Sequence, residues 1–287
     1  MSEEPAKYES KIIETRRGKI HYLEWTSENS PIIIVLPGFT IPALAYTAIG
    51  DDFQDYGFSV IIVDYWGRGE TGAPTDGKYS LSSQISLVLT LINQLRITKC
   101  NIVGISYGAA VAAGLVSLVT EKIDKMAFIS PLQFTTEMPT HLQKFVLGAP
   151  YIGPMILSWT APTMVPQLVK YHFQNPDEVP ESVERITKIC IDQFKSGNLH
   201  PYAISKSIAA FEESDIEHSF AGLSAVNKKM IVLIGAEDKL VSASECQSWW
   251  TRWIQNASIL NCDDLGHLMY FEQESRVAKS IAKFILS

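Results

Sequence analysis

Ser106 sits in Gly104-Ile105-Ser106-Tyr107-Gly108, directly after the apolar run Asn101-Ile102-Val103 and directly before the small-residue segment Ala109-Ala110-Val111-Ala112-Ala113. This is a G-x-S-x-G pattern in the strand-to-helix setting that a nucleophile elbow requires. The bare pattern is weak, and the strand before and helix after give it weight. A turn that sharp holds its serine in a strained conformation and leaves no room for side chains beside it, so its flanks are glycines. A serine hydroxyl is a poor nucleophile at neutral pH, so a base must take its proton and an acid must fix the tautomer of that base.

Six histidines are available. His21 falls in an N-terminal strand, and His141, His172, His200 and His218 fall in a long inserted segment where cap or surface roles are expected. His267 stands apart in Asp264-Leu265-Gly266-His267-Leu268-Met269-Tyr270, a loop between the last strand and the last helix. For the acid, Asp238 follows the apolar run Met230 to Ile234, at the C-terminal end of a parallel strand where active sites gather. Glu237 is its main rival, with Asp263 and Asp264 behind it. A developing oxyanion needs two aimed backbone donors. Tyr107 N–H, next to the serine, is one candidate; Phe39 N–H, in Pro37-Gly38-Phe39-Thr40 after an early strand, is the other.

The elements that position these groups are legible as apolar runs. Lys11 to Thr15 and Lys19 to Trp25 read as a hairpin turning at Arg17-Gly18. Ile32 to Leu36 is a continuous, mostly β-branched run, as expected for a strand buried on both faces of a parallel sheet. Similar runs recur at Ser59 to Asp64, Asn101 to Gly104, Met126 to Ile129 and Met230 to Ile234, with a short strand at Ser258 to Leu260. Helical spacing fills Leu81 to Leu95, Tyr107 to Val119, Ser242 to Gln255 and Glu272 to Leu286. The alternation predicts an α/β fold with a mostly parallel, doubly wound sheet. After Ser130-Pro131 about ninety residues pass before the next strand, far more than a connection needs. The expected organisation is a core of residues 1–132 and 221–287 with an inserted helical cap over 133–220.

Composition narrows the class. The 287 residues carry 24 Lys and Arg against 31 Asp and Glu, a net charge of −7, and the basic clusters are short, so no nucleic-acid partner is expected. The four cysteines form no C-x-x-C pair, which points away from a zinc site or a disulfide framework and towards a reducing compartment. The N-terminus has no apolar export segment, so a cytoplasmic location is expected. Phe145 to Val169 holds no charged residue and, at about 1.5 Å per residue, could span a bilayer as one helix. Pro150, Pro154, Pro162 and Pro166 argue instead for short, kinked helices in a soluble insertion.

Together these motifs resemble the α/β-hydrolase superfamily, in its capped branch of monoglyceride lipases, small carboxylesterases, prolyl aminopeptidase-like members and ring-cleavage C–C hydrolases. The order Ser106, Asp238, His267 is the one that family uses. Asp64-Tyr65-Trp66-Gly67-Arg68-Gly69-Glu70-Thr71 looks like its D-x-R-G-x-G-x-S turn, with Trp66 and Thr71 replacing Arg and Ser, and Pro37 stands where many relatives carry His. The resemblance implies a serine hydrolase that cleaves an ester through an acyl-enzyme, without metal or organic cofactor. A prolyl-type aminopeptidase, using acids in the stretch from Asp177 to Glu184, and a ligand-binding receptor of the same shape with little turnover are the alternatives. Phe145, Tyr151, Ile152, Met155, Ile156, Leu157, Trp159 and Met164 suggest an apolar roof for a small lipophilic ester or acyl substrate, and transient membrane contact through the cap.

Overall fold

Eight strands form one sheet because most of them are uninterrupted apolar runs that need cover on both faces. In the computed structural model, which describes residues 6–133, 139–175, 181–196 and 201–287, they are β1 (Glu9–Glu14), β2 (Lys19–Trp25), β3 (Ile32–Leu36), β4 (Ser59–Val63), β5 (Cys100–Ile105), β6 (Ile123–Ile129), β7 (Lys229–Gly235) and β8 (Ala257–Cys262). Their order is β1-β2-β4-β3-β5-β6-β7-β8. β1 and β2 form an antiparallel hairpin, β2 joins β4 antiparallel, and every pairing from β4 to β8 is parallel. The expected strands are all present, each within a few residues of its expected ends.

Each face of the sheet carries its own apolar layer. Helices Leu81–Gln94, Tyr107–Val116 and Ala243–Trp253 cover one face with Val88, Leu91, Val111, Leu115 and Trp250, all fully buried. Helices Thr47–Asp55 and Glu274–Leu286 cover the other with Ile49, Phe53, Ala278 and Ile281. The helix Thr47–Asp55 has no counterpart among the expected elements; its first turn is short of strong helix formers, and burial of Ile49 and Phe53 holds it. The last helix is also shorter than expected, because Gln273, with φ −143°, separates it from the single turn Met269–Glu272.

Register brings the site together. Leu36 pairs with Gly104, Gly104 with Phe128, and Ile129 with Leu233, so the C-terminal ends of β3, β5, β6 and β7 end at one rim. Among the described residues, five α-helices run between β6 and β7, His141–Gly148, Ile152–Tyr171, Glu181–Ser196, Pro201–Ala209 and Glu213–Ala221. The second is one continuous helix of 20 residues with Pro162 and Pro166 inside it, where short kinked pieces were expected. Close packing sustains it: a Cβ on Gly153 would lie 1.8 Å from the Leu147 carbonyl oxygen, and Ala161 is buried. Ser158 and Thr160 hydroxyls also donate to carbonyls four residues back, at 2.8 and 2.9 Å. Among the described residues no helix is long and apolar enough to cross a membrane. The last of the five helices packs Phe220 against Phe128 and Trp250, alongside the core rather than over the rim.

One carboxylate ties β2, the loop after β3 and the turn after β4 together. Asp64, 2% exposed, accepts from Ala43 N–H at 2.7 Å with Oδ1, and from Glu70 N–H at 3.2 Å with Oδ2, which also meets His21 Nδ1 at 2.6 Å. Thr71 continues the clasp, donating to the Asp64 carbonyl at 2.8 Å and accepting from His21 N–H at 2.8 Å. Gly69 makes the turn feasible, since its φ is +54° and a Cβ there would sit 1.9 Å from Asp64 Oδ2. Gly69→Ala should therefore lower the free energy of unfolding by about 2–4 kcal/mol. Urea denaturation measures it, and a loss below about 0.5 kcal/mol, the range of neutral surface changes, would show that the clasp does not matter.

Candidate active site

Ser106 leaves β5 with φ +53° and ψ −114°, a conformation that costs a non-glycine residue on the order of 1–3 kcal/mol. Three hydrogen bonds hold it there: its N–H donates to the Ile129 carbonyl at 2.9 Å, and its own carbonyl accepts from Ala109 at 2.9 Å and Leu132 at 3.1 Å. Both neighbouring glycines are demanded by close approach. A Cβ on Gly108 would lie 1.9 Å from the Leu36 carbonyl oxygen, and one on Gly104 would lie 2.7 Å from Ala109 Cα. The sequence pattern thus has a steric cause, namely that helix Tyr107–Val116 starts against the end of β3.

The imidazole of His267 lies between the hydroxyl and a carboxylate. Nε2 is 2.8 Å from Ser106 Oγ, and Nδ1 is 2.8 Å from Asp238 Oδ2. The side chains of His267 and Asp238 are 4% and 2% exposed. Asp238 Oδ1 accepts from Leu240 and Val241 N–H, both at 2.9 Å, which leaves Oδ2 aimed at the ring. Of the rival acids, Glu237 and Asp263 are exposed and Asp264 pairs with Arg276 at 2.7 Å on the surface. Ser106, His267 and Asp238 are therefore brought into one line of contacts, and the other three carboxylates are not part of it.

The loop after β3 approaches the same hydroxyl. A Cβ on Gly38 would lie 4.0 Å from Ser106 Cβ and 3.3 Å from Tyr46 Oη, so the loop passes close at that point. Neither Phe39 N–H nor Tyr107 N–H donates to another group among the described residues. Gly38 N–H donates to Tyr46 Oη at 3.2 Å, and Arg68 Nε donates to the Phe39 carbonyl at 3.0 Å with its guanidinium 5.0 Å above the Phe39 ring. Arg68 is buried, also donates to the Trp66 carbonyl and Ser207 Oγ, and is held down to about 10 by its burial. Its role as a brace for this loop was not read from the sequence, where it stood only as part of a turn motif.

A cavity of about 210 Å³ opens beside Ser106 and His267, with Ile105, Ile129, Val165, Val169 and Leu240 on its walls. The expected roof is corrected here. Phe145, Tyr151, Ile152, Met155, Trp159 and Met164 are 48–88% exposed, and neither they nor Ile156 and Leu157 line the cavity. The wall comes from the last turns of the same helix, at Val165, Leu168, Val169 and His172, whose i, i+3, i+4, i+7 spacing marks one face. His172, expected in a cap or surface role, lines the cavity. Cys190 also lines the cavity, and burial pushes its thiol up to about 12, which keeps it protonated. His200 and the acids Asp177 and Glu178 lie outside the described residues. No cluster of three or more His, Cys, Asp or Glu side chains is placed to hold a metal among the described residues.

The family model for the alpha/beta hydrolase fold matches residues 31–274, which includes β3 to β8 and all three side chains of the contact line. The chain belongs to the alpha/beta hydrolase fold family. Among solved structures, this family member is similar to an esterase from Exiguobacterium antarcticum, at 18% identity and a TM-score of 0.77 over 97% of this chain and all of the other. It is similar also to the 2-hydroxy-6-oxo-6-phenylhexa-2,4-dienoate hydrolase from Rhodococcus sp. strain RHA1, at 21% identity and a TM-score of 0.76 over 97% of this chain and all of that one. At such identities the likeness is one of fold. A curated protein of Bacillus subtilis (strain 168), "Putative 2-succinyl-6-hydroxy-2,4-cyclohexadiene-1-carboxylate synthase", is 29% identical over 102 residues. That match spans 35% of this chain and about a third of the relative, 36% of its length.

The contact line makes a sharp distinction between two adjacent acids. Asp238→Asn should lower kcat/KM for an activated ester by about 10³–10⁴-fold, because an amide there favours the wrong imidazole tautomer. Glu237→Gln should change it less than about threefold, the scale of an exposed charge. Steady-state kinetics on both variants checks this, and the reverse order would move the acid by one residue.

Proposed function

We propose that the protein is a serine hydrolase that cleaves carboxylic esters through an acyl-enzyme at Ser106. The reading is carried by one observation: the 2.8 Å contacts from Asp238 through His267 end on a serine held at positive φ, beside two unengaged backbone N–H groups. Ser106 Oγ attacks the ester carbonyl as His267 Nε2 takes its proton. Asp238 stabilises the imidazolium through Nδ1–H, and Phe39 and Tyr107 N–H groups receive the oxyanion. His267 then returns the proton to the departing alcohol, and a water activated by the same ring releases the acid.

The apolar walls favour a lipophilic acyl group. In this reading the segment 133–220 is a cap, with helix Ile152–Tyr171 forming the cavity wall at one end and an outward apolar face at the other. That face, with Met155 and Trp159, is continued by Tyr151 and by Leu142 and Phe145 of helix His141–Gly148, each more than 60% exposed, and fits a neutral lipid surface. No charged residue occurs between Lys144 and Lys170, Trp and Tyr favour the lipid–water boundary, and the net charge of −7 disfavours an anionic membrane.

Two experiments test these statements. A fluorophosphonate probe should label the wild type and not Ser106→Ala, and His267→Ala should lose on the order of 10³–10⁶-fold in kcat/KM for p-nitrophenyl esters while keeping its fold by circular dichroism. Labelling that survives the loss of Ser106, or full turnover without His267, would overturn the hydrolytic reading. For the lipid face, the protein should float with phosphatidylcholine vesicles and Phe145→Ser/Trp159→Ser should stay in the soluble fraction. No flotation by the wild type, or a concentration-dependent dimer in sedimentation that the double variant abolishes, would assign the face to another partner.

A further inference from the structure

The cavity beside Ser106 holds a second imidazole that the proposed reaction does not use. His172 closes the C-terminus of helix Ile152–Tyr171 and lines the cavity, with its ring centroid 5.9 Å from that of His267. Its Nδ1 is buried without a hydrogen-bond partner among the described residues. Leaving such an atom unmet costs about 1–3 kcal/mol, so a persistent orphan in a reaction cavity points to a partner that arrives with the ligand.

The peptide that carries this ring is fixed from both sides of the site. Lys239 Nζ, next to Asp238, donates to the Phe173 carbonyl at 3.1 Å. Glu272 accepts from Gln174 N–H at 3.3 Å and from Gly266 N–H at 3.1 Å, which joins the residues after His172 to the residue before His267. Gly266 is itself packed against this peptide, since a Cβ there would lie 2.8 Å from the His172 carbonyl oxygen. The spacing between the two imidazoles is thereby preset by the loops that carry Asp238 and His267. Burial, aided by the His267 ring, holds His172 down to about 4, so at neutral pH it offers one donor and one acceptor.

The neighbour of the ring points to the part of the substrate that His172 meets. The ring lies beside His267, the group that hands a proton to the departing alcohol in the proposed reaction, with 5.9 Å between the two ring centroids. We propose that His172 is a specificity-determining residue that hydrogen-bonds a second hydroxyl on the leaving alcohol, so that hydroxylated-alcohol esters are preferred over plain alkyl esters. A hydroxyl both donates and accepts, and it satisfies a neutral imidazole in either tautomer. The inference rests on the serine-hydrolase reading and adds the class of leaving group to it.

The test compares 2-hydroxyethyl butanoate with propyl butanoate, which differ by OH in place of CH3. Wild type should favour the hydroxyethyl ester by at least about tenfold in kcat/KM, His172→Phe should bring the ratio to about one, and His172→Gln should keep part of the preference. The ratio is read because a general loss of activity or partial misfolding lowers both rates alike, whereas a purely structural histidine leaves it unchanged. A ratio near one in the wild type, or one that survives in His172→Phe, overturns the assignment of His172 while leaving ester hydrolysis standing. Turnover of neither ester by a protein that also resists the fluorophosphonate probe brings down the hydrolytic reading and this inference with it.

Discussion

The site depends on a steric constraint at a single turn, where the chain reverses from β5 into helix Tyr107–Val116 with backbone of β3 less than a side chain away. A Cβ at Gly108 would nearly coincide with the Leu36 carbonyl oxygen, so the helix can start there only on a glycine. The reversal forces Ser106 to positive φ, and the strain is offset by bonds from β6 and from Leu132 on the far side. Its hydroxyl is thereby held where β3, β5, β6 and β7 all end. Loops from those ends can reach it without long arms, which is how Gly38 and Asp238 come from distant parts of the chain to one point.

A second imidazole–carboxylate pair in the molecule shows what such a pair needs besides its contacts. Ser10 Oγ, His21 and Asp64 repeat the line of atoms, at 2.9 and 2.6 Å. Both pairs are buried, 4% and 2% exposed, and both carboxylates accept from two backbone N–H groups, so the difference lies at the serine and in what the carboxylate joins. Ser10 is on the exposed edge strand, in ordinary extended backbone and outside the walls of the Ser106 cavity. Asp64 is engaged by the Ala43 and Glu70 N–H groups and so spends its charge on joining β2 to the loop after β3. Asp64 and Arg68 together brace the Phe39 loop from both ends, so this pair supports the first site and is no rival to it.

The fold and the contact line were legible in the sequence for different reasons. Buried parallel strands must be apolar at every position, so Ile32–Leu36 and Met230–Ile234 announce themselves without any periodicity. Ser106, His267 and Asp238 were found because each follows a strand, and strand ends are fixed by topology. Side-chain contacts between segments carry no such local mark. Arg68 bracing Phe39, Glu272 holding Gly266, and the burial of His172 each depend on a partner at least six positions away in the chain, and on rotamers that composition does not reveal. The apolar roof failed for a related reason: Ile152 to Met164 and Val165 to Val169 are alike in hydrophobicity, and only their place along and around helix Ile152–Tyr171 separates an outward face from a cavity wall, while Phe145 belongs to the preceding helix.

That division along one helix sets the cavity wall apart from the contact line. The contact line sits on the strand ends and their loops, whereas the wall at Val165, Leu168 and Val169 belongs to the segment between β6 and β7. Substitutions in the wall alter the space offered to a ligand without touching the bonds that hold Ser106, because those bonds run to Ile129, Leu132 and Ala109. Two contacts depart from that separation: Lys239 and Glu272 tie the residues after His172 to the loops of Asp238 and His267, and Arg68 joins Ser207 to the Phe39 carbonyl. The segment between β6 and β7 is thus joined to both loops that face Ser106, the Phe39 loop at one side and the His267 loop at the other.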